Sequence, residues 1–244
     1  MIVRIATGAS QARLLLATSG PIVLFDALRM SATVLVALDR GMTVLPVVDA
    51  AEALALKGDP PGGEAVVTAG ERNGWRIPGL DLDNSPSDLL RYSLPDPPVV
   101  LALTTSHGVP ALLAVAGHAH GVLIGSPLNL SALTQTLRDR ASSEIGILLA
   151  GHESEPSLED AMTAAVLFDR LGVPLPDGLP RPIPVAGLPA FFAGTPAGRR
   201  LIEREERPDL DLCTSVDRYP IVPRLAEDGR IVPDAAVHTQ GGYR

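Results

Sequence analysis

The sequence contains one cysteine, Cys213, and few aromatic residues, which make up 3% of its 244 positions. A single cysteine excludes an intramolecular disulfide framework and a cysteine-rich zinc site. Because aromatic residues are scarce, a hydrophobic core must be built from Ala, Val, Leu and Ile, and 46% hydrophobic residues allow for one. A chain of this length fits one large α/β domain or two small ones.

Positive charge and long apolar runs are also lacking. The formal net charge of −8 argues against a nucleic-acid-binding surface, because phosphate contacts need a basic face. A small anionic ligand held by a local pair of arginines remains compatible with this charge. No apolar run is long enough to cross a bilayer, and no signal peptide is visible. We therefore expect a cytoplasmic protein that binds neither nucleic acid nor membranes; whether it forms a homodimer is left open.

Several common catalytic motifs are absent. The sequence has no GxxxxGK[ST], no GxGxxG that opens a helix and no GxSxG nucleophile elbow. Asp26 also lacks a second Asp two residues on, so the pattern of the haloacid dehalogenase phosphatases does not apply. A nucleotide-binding α/β domain is therefore a weak hypothesis.

Short apolar runs alternate with helical patterns and predict a repeated strand–loop–helix arrangement. The predicted strands cover residues 22–25, 43–48, 64–68, 99–103, 121–125 and 145–149, and the predicted helices cover 29–38, 50–57, 85–92, 109–116, 129–138, 158–171 and 198–207. This rhythm favours parallel strands with right-handed crossovers. We predict a single three-layer α/β/α domain over residues 1–244, with a largely parallel or mixed sheet. It has two similar halves at about 20–57 and 98–138, and a proline-rich C-terminal extension at about 172–244 that wraps around the sheet.

The long polar stretch at residues 70–88 is typical of a functional loop rather than a connector. Its apolar residues need burial, which argues against disorder; they are Trp75, Ile77, Leu80 and Leu82. We expect a folded-in loop that presents carboxylates and a guanidinium group. An ordered surface loop held by its own ion pairs is the alternative.

Three further polar loops follow predicted strands, at residues 26–33, 104–108 and 150–160. Ligands of open parallel sheets bind beyond the carboxyl ends of the strands, and each loop precedes a helix whose amides could face an anion. The candidate substrate-binding residues in these loops and in the polar stretch are Ser31, Thr33, Asn84, Ser85, Thr104, Thr105, Ser106, Gly108 and His152.

Asp26 follows an apolar strand, where a carboxylate is a metal ligand, a nucleophile or a helix cap. With Glu71 and Asp81 it forms a set of hard oxygen ligands of the kind that Mg²⁺ prefers, and we select these three as metal ligands. Arg29 is expected either to grip a phosphate with two hydrogen bonds or to neutralise Asp26. Arg72 is the second candidate cation.

Two loop histidines and the acidic residues near the start of the predicted helix 158–171 are further candidates for the functional site. His107 and His152 are candidates for acid, base or ligand, and the alternative for each is a structural role. Glu153 and Glu159 either touch a metal or substrate or interact with a helix dipole. Cys213 is expected to be a packing residue without a catalytic role.

These segments together resemble the Mg²⁺-dependent 2-phosphosulfolactate phosphatase family. The matching stretches are VLFDALRMSATVLVAL, AGERNGWRIPGLDLDNSP, LALTTSHG, VLIGSPLN and GHESEPSLED, with a weaker echo in PAGRRLIEREERPDLDLC. The resemblance implies hydrolysis of the phosphate from (2R)-2-phospho-3-sulfolactate, a step toward coenzyme M, with Mg²⁺ as cofactor and a small anionic phosphorylated substrate. It agrees with Asp26, Arg29, Glu71, Arg72 and His107 as catalytic candidates.

The sequence departs from the family pattern at three positions that bear on the substrate. His107-Gly108-Val109-Pro110 replaces Asn-Gly-Thr-Arg, Asp83 replaces a Gly, and His152 replaces a Thr. The first hypothesis is a Mg²⁺-dependent phosphatase for a small 2-hydroxy acid. Because the Thr-Arg pair is missing, the alternative is a family member that binds an anionic metabolite without turnover.

Overall fold

Apolar runs form the strands of one mixed ten-stranded sheet in a computed structural model, which describes residues 1–151 and 156–234. The strands are β1 (Ile2–Thr7), β2 (Ile22–Phe25), β3 (Thr43–Pro46), β4 (Ala65–Arg72), β5 (Trp75–Arg76), β6 (Val99–Thr104), β7 (Val122–Gly125), β8 (Glu144–Leu149), β9 (Pro223–Leu225) and β10 (Ile231–Pro233). The described helices are α1 (Gly8–Ala12), α2 (Met30–Asp39), α3 (Ala50–Gly58), α4 (Pro86–Arg91), α5 (Gly108–Ala114), α6 (Leu130–Arg140), α7 (Leu158–Leu171), α8 (Leu188–Gly194), α9 (Pro196–Glu203) and α10 (Arg207–Cys213).

The sheet consists of two parallel groups joined by a hairpin. Its strand order is β1-β8-β2-β7-β9-β10-β3-β6-β4-β5. β1, β8, β2 and β7 are mutually parallel, as are β3, β6 and β4. The hairpin strands β9 and β10 are antiparallel to each other and to their outer neighbours. The strand direction therefore reverses three times between β7 and β3, at the pairs β7–β9, β9–β10 and β10–β3. As a result, the two parallel groups run in opposite directions.

Alternate residues of β2 separate the two main parts of the core. Ile22 and Leu24 pack with helix α2 in one apolar cluster, whereas Val23 and Phe25 pack with α7 in another. Because successive side chains of a strand point to opposite faces, the two clusters lie on opposite faces of the sheet. The predicted α/β architecture, with helices on both faces of a mixed sheet, is confirmed.

The C-terminal extension contributes more than a wrap. It contains α8 to α10, and its hairpin β9–β10 lies inside the sheet between β7 and β3. The single helix predicted over 198–207 is wrong, because α9 ends at Glu203 and α10 begins at Arg207. Glu205, between them, has a φ of 61°, which no α-helix accommodates.

The polar stretch at 70–88 is largely regular structure. β4 continues into it and turns back at Asn73-Gly74, where both residues have positive φ, as in a type I′ hairpin. The prediction that Trp75 is buried is wrong: its side chain on β5 is 64% exposed. Leu80 and Leu82 are buried as expected.

Within residues 1–151 and 156–234, no helix has both the length and the apolar character needed to cross a membrane.

Candidate active site

A cavity of about 220 Å³ lies where β2, β4, β6 and β8 end. The residues from these strand ends that line it are Asp26, Glu71, His107 and Gly151. A Cβ built on Gly108, after β6, would lie 2.2 Å from Asp26 Oδ2, after β2, so the two loops are in contact. Since β2 and β6 run in opposite directions, the sheet must coil to bring their carboxyl ends together.

Asp26 lies at the end of β2, with its backbone held by Ser31 and its carboxylate packed against Gly108. Its backbone N–H donates to Ser31 Oγ at 3.1 Å, and the carboxylate lies against Gly108, where no side chain intervenes. Only 8% of the residue is exposed. Burial raises the pKa of Asp26 well above its usual value, and the nearby carboxylates of Asp160 and Glu71 raise it further. Ser31 and Gly108, predicted to bind substrate, therefore position Asp26.

Asp160 lies in the first turn of α7 and was not among the residues that the sequence singled out for the site. Its Oδ1 accepts the Ala27 N–H at 2.8 Å, and its Oδ2 accepts the Gly151 N–H at 3.2 Å. Burial raises the pKa of this carboxyl group to about 7 despite these donors. Asp160 thus joins the loops after β2 and β8 and adds a second buried carboxyl group beside Asp26.

Glu71 connects the β4–β5 hairpin to the loop after β6. Oε1 accepts the Ser106 N–H at 2.6 Å, and Oε2 accepts from Gly74 N–H at 2.6 Å and from Ser106 Oγ at 3.0 Å. Ser106, a predicted substrate ligand, therefore holds Glu71. Oε1 accepts a single hydrogen bond and therefore retains a lone pair for a further interaction, whereas both lone pairs of Oε2 are used.

Within residues 1–151 and 156–234, two buried oxygen acceptors of the cavity have no hydrogen-bond partner. They are Asn84 Oδ1 and Glu159 Oε1, on residues that are both 3% exposed. Buried polar atoms are nearly always paired in folded proteins, so each such exception calls for an explanation. A ligand in the cavity would provide one.

Arg29 borders the cavity but is already bound to three carboxylates. Nη1 donates to Asp209 at 2.7 Å and to Glu206 at 3.0 Å, and Nη2 donates to Asp83 at 2.8 Å. Neither sequence-based alternative for Arg29, a phosphate clamp or an ion pair with Asp26, describes these contacts. Arg29 instead ties α10 and the loop before α4 to the end of β2.

Asp81 and Arg72 lie outside the cavity. Asp81 pairs with Lys57, and its Oδ2 accepts from Thr68 N–H and Oγ, each at 2.9 Å. The structure therefore does not bring Asp81 together with Asp26 and Glu71. Arg72 Nη2 donates to Val48 O and to Thr104 Oγ1, each at 3.2 Å, so Thr104 likewise faces Arg72.

The remaining predicted substrate ligands support the backbone or lie elsewhere. Thr33 Oγ donates to Arg29 O, and Thr105 Oγ accepts the Val109 N–H. Ser85 caps α4 and donates to Asp209. Asn84 and His107 line the cavity as predicted, whereas His152 lies outside the described residues, as does Glu153.

Helix α9 forms a wall of the cavity that sequence reasoning missed. Ala197, Arg200, Leu201 and Arg204 line it. The Arg204 guanidinium stacks 4.0 Å above the Trp75 ring and donates to Gly74 O, which joins α9 to the hairpin tip. The segment PAGRRLIERE was visible as a weak part of the family resemblance, and the Asn73-Gly74 dipeptide was a signal for the hairpin.

Comparison with known proteins extends over nearly the whole chain. The model of the family described as 2-phosphosulpholactate phosphatase matches residues 11–228. A probable 2-phosphosulfolactate phosphatase of Caldanaerobacter subterraneus is 30% identical over 218 residues, 84% of this chain and 87% of the relative. The 2-phosphosulfolactate phosphatase of Methanothermobacter thermautotrophicus is 36% identical over 150 residues, 62% of this chain and 60% of the relative. The chain therefore belongs to the 2-phosphosulfolactate phosphatase family, and the names of the family and of these relatives indicate a phosphatase, that is, a phosphoric monoester hydrolase.

Proposed function

We propose that the protein is a Mg²⁺-dependent phosphatase that hydrolyses the phosphate ester of a small 2-hydroxy acid similar to 2-phosphosulfolactate. The observation that carries this proposal is the convergence of Asp26, Glu71 and Asp160 on one cavity, in a chain of a phosphatase family. The mutual repulsion of these carboxylates raises the pKa of Asp26, beyond the effect of its burial. A cation would relieve that repulsion.

The oxygen ligands that this cavity offers suit Mg²⁺ better than a metal ion whose ligands all come from the protein. Among the described residues, no three Asp, Glu, His or Cys side chains are grouped tightly enough to hold an ion by themselves. Mg²⁺ commonly binds one or two carboxylates and completes its octahedron with water and substrate phosphate. Asp26 and Asp160 would hold the ion, and the unpaired Asn84 Oδ1 and Glu159 Oε1 are further oxygen donors. When bound, the ion supplies Lewis acidity that offsets the charge of the phosphoryl group.

The protein's own residues have separate tasks in this proposal. In this proposal the phosphoryl group lies against Asp26, whose carboxylate acts as a metal ligand or as the nucleophile. Ser31 holds the backbone N–H of Asp26, and Gly108 leaves room for its carboxylate. Hydrolysis releases the oxygen of a secondary alcohol, which is a poor leaving group unless it receives a proton. His107 lines the same cavity and is our candidate for the proton donor. Glu71 keeps the hairpin against the cavity through Gly74 and Ser106.

A phosphate-release assay tests this function. Purified protein would be given 2-phosphosulfolactate, 2-phospholactate and 2-phosphoglycolate with Mg²⁺, with Mn²⁺ or with EDTA. We expect metal-dependent phosphate release from at least one ester, and none with EDTA. Phosphate release that EDTA leaves unchanged would contradict the metal requirement. Stabilisation by these esters without any release would instead favour the alternative, a family member that binds an anionic metabolite without turnover.

A further inference from the structure

Three arginines border the cavity, and they differ in what their side chains already contact. Arg29 is bound to Asp83, Glu206 and Asp209, and Arg204 is bound to Gly74 O and stacked on Trp75. The third arginine, Arg200, lies on α9. In the part of the chain that the structure describes, its side chain makes neither an ion pair nor a hydrogen bond. Among the described residues that line this cavity, it is therefore the guanidinium group that a ligand can engage without breaking a contact.

The position of Arg200 on its helix makes this lack of a partner informative. Glu203 lies three residues further along α9, at a spacing that allows an ion pair on a helix surface. The structure shows no such pair, and the Arg200 side chain borders the cavity instead. Its neighbour Arg199 is also exposed but donates to Gly194 O and does not line the cavity.

Charge is separated across the cavity. The carboxylates of Asp26, Glu71 and Asp160 come from the strand ends and from the start of α7, whereas Arg200 comes from the wall formed by α9. The acidic side suits a cation and the phosphoryl group that the cation accompanies. A second anionic group of the same ligand would be repelled by these carboxylates and attracted toward α9.

We propose that Arg200 binds the second anionic group of the substrate, its carboxylate or sulfonate, and thereby gives the enzyme its preference for phosphate esters that carry further negative charge. This inference rests on the proposed function, because it assumes that the phosphoryl group lies at Asp26. The planar guanidinium group can donate two parallel hydrogen bonds to a carboxylate or sulfonate. The Arg200 side chain is exposed and has no structural partner among the described residues.

The test compares Arg200→Gln with Arg199→Gln, a matched change one residue away on the same helix. Both replacements keep a good helix former, so the fold is expected to persist. With 2-phosphosulfolactate, we expect Arg200→Gln to lower kcat/KM by about 10- to 100-fold, mainly through KM, since one charge-assisted interaction is lost. With isopropyl phosphate, which has no second anion, we expect a change of less than about 3-fold. Arg199→Gln should match the wild type with both esters, and Arg200→Lys should recover part of the loss.

An equal loss with both esters, or no loss with 2-phosphosulfolactate, would overturn the role of Arg200 while the phosphatase function stands. Calorimetric binding of sulfolactate, which lacks the phosphate, separates the two proposals if the wild type hydrolyses no ester. In that case, weaker sulfolactate binding by Arg200→Gln than by Arg199→Gln supports the Arg200 site although the proposed function fails. Equal binding by both variants, or no binding by the wild type, overturns the site as well.

Discussion

Arg29 is 4% exposed and lies among three carboxylates, and this environment determines the effect of replacing it. In Arg29→Gln, Asp209 and Asp83 would lose their counter-ion while remaining buried. Removing one partner of a buried ion pair typically costs about 3–5 kcal/mol, because an uncompensated charge is left inside the protein. We expect a loss of this size in the free energy of unfolding, measured by urea denaturation.

The control for this prediction is Arg207→Gln, which removes an exposed pair with Asp211. Exposed pairs contribute little, so the free energy of unfolding should change by less than about 1 kcal/mol. If Arg29→Gln lowered the free energy of unfolding as little as Arg207→Gln, the structural role of Arg29 would be contradicted, and the phosphate clamp, one of its two sequence-based alternatives, would be favoured.

Gly108 is the second residue whose surroundings allow a sharp prediction. In Gly108→Ala, the added Cβ would lie 2.2 Å from Asp26 Oδ2 and 2.6 Å from Met30 Sδ, so the Asp26 carboxylate must move. We expect kcat for phosphate release to fall by about 100-fold, because displacements of about 1 Å have effects of that order. Gly58→Ala, which meets nothing within 4 Å, should leave kcat unchanged. Normal kcat in Gly108→Ala would mean that the position of Asp26 is not critical.

At the scale of elements, the contact between α9 and the β4–β5 hairpin provides an optical signal. Trp75 is the one tryptophan of the sequence, and Arg204 both stacks on its ring and lines the cavity. A ligand that binds Arg200 should shift the end of α9, move Arg204 relative to the Trp75 ring and change the emission of Trp75. We expect a saturable fluorescence change when sulfolactate is added, and its absence from Arg204→Gln. An undiminished change in that variant would show that Arg204 does not transmit binding to Trp75.

The elements that sequence reasoning predicted well are those with strong local patterns. Helix 158–171 and strand 22–25 were predicted to the residue, because one is amphipathic and the other is a continuous apolar run. The strands β9 and β10 were missed, since each has three residues and contains a proline, too short for any periodicity. Their place in the sheet depends on long-range pairing with β7 and β3, which no local pattern encodes.

The candidate site was predictable only in part, for a related reason. Asp26 and His107 follow strands, and the rule that ligands bind beyond strand ends found them; Glu71 and Asn84 were found because they lie in the polar stretch at 70–88. The selection of Asp81 as a metal ligand failed because a bridge between Leu82 and Ala69 places Asp81 beside Thr68 and Lys57, outside the cavity. Arg200 and Asp160 enter the cavity through helix packing, which the sequence does not specify at the level of single residues.

At the scale of the whole molecule, the coiled sheet buries carboxyl groups together, and this should make stability depend on pH. The pKa of Asp26 is raised well above the ordinary value of 3.8, and that of Asp160 is raised to about 7, in both cases chiefly by burial. The folded chain then binds more protons than the unfolded chain between those values. Stability therefore decreases as the pH rises through this range.

We expect metal-free protein to have a lower Tm at pH 8 than at pH 5, and Mg²⁺ to raise the Tm more at pH 8. Glu144 does not interfere, because its donors from Ser19 and Arg4 lower its pKa to about 2, so its stabilising effect is complete above about pH 5. Asp160→Asn should flatten the dependence of Tm on pH. A wild-type Tm that rises from pH 5 to pH 8 without metal would contradict this picture.

The most direct test of the account is the rate of phosphate release from 2-phosphosulfolactate as a function of Mg²⁺ concentration, for the wild type, Asp26→Asn and the exposed control Asp211→Asn. We expect the rate to depend saturably on Mg²⁺ for the wild type and the control, and to fall by at least about 100-fold in Asp26→Asn. Unchanged turnover in Asp26→Asn, with the same dependence on Mg²⁺, would contradict this expectation and place the reaction away from this cavity.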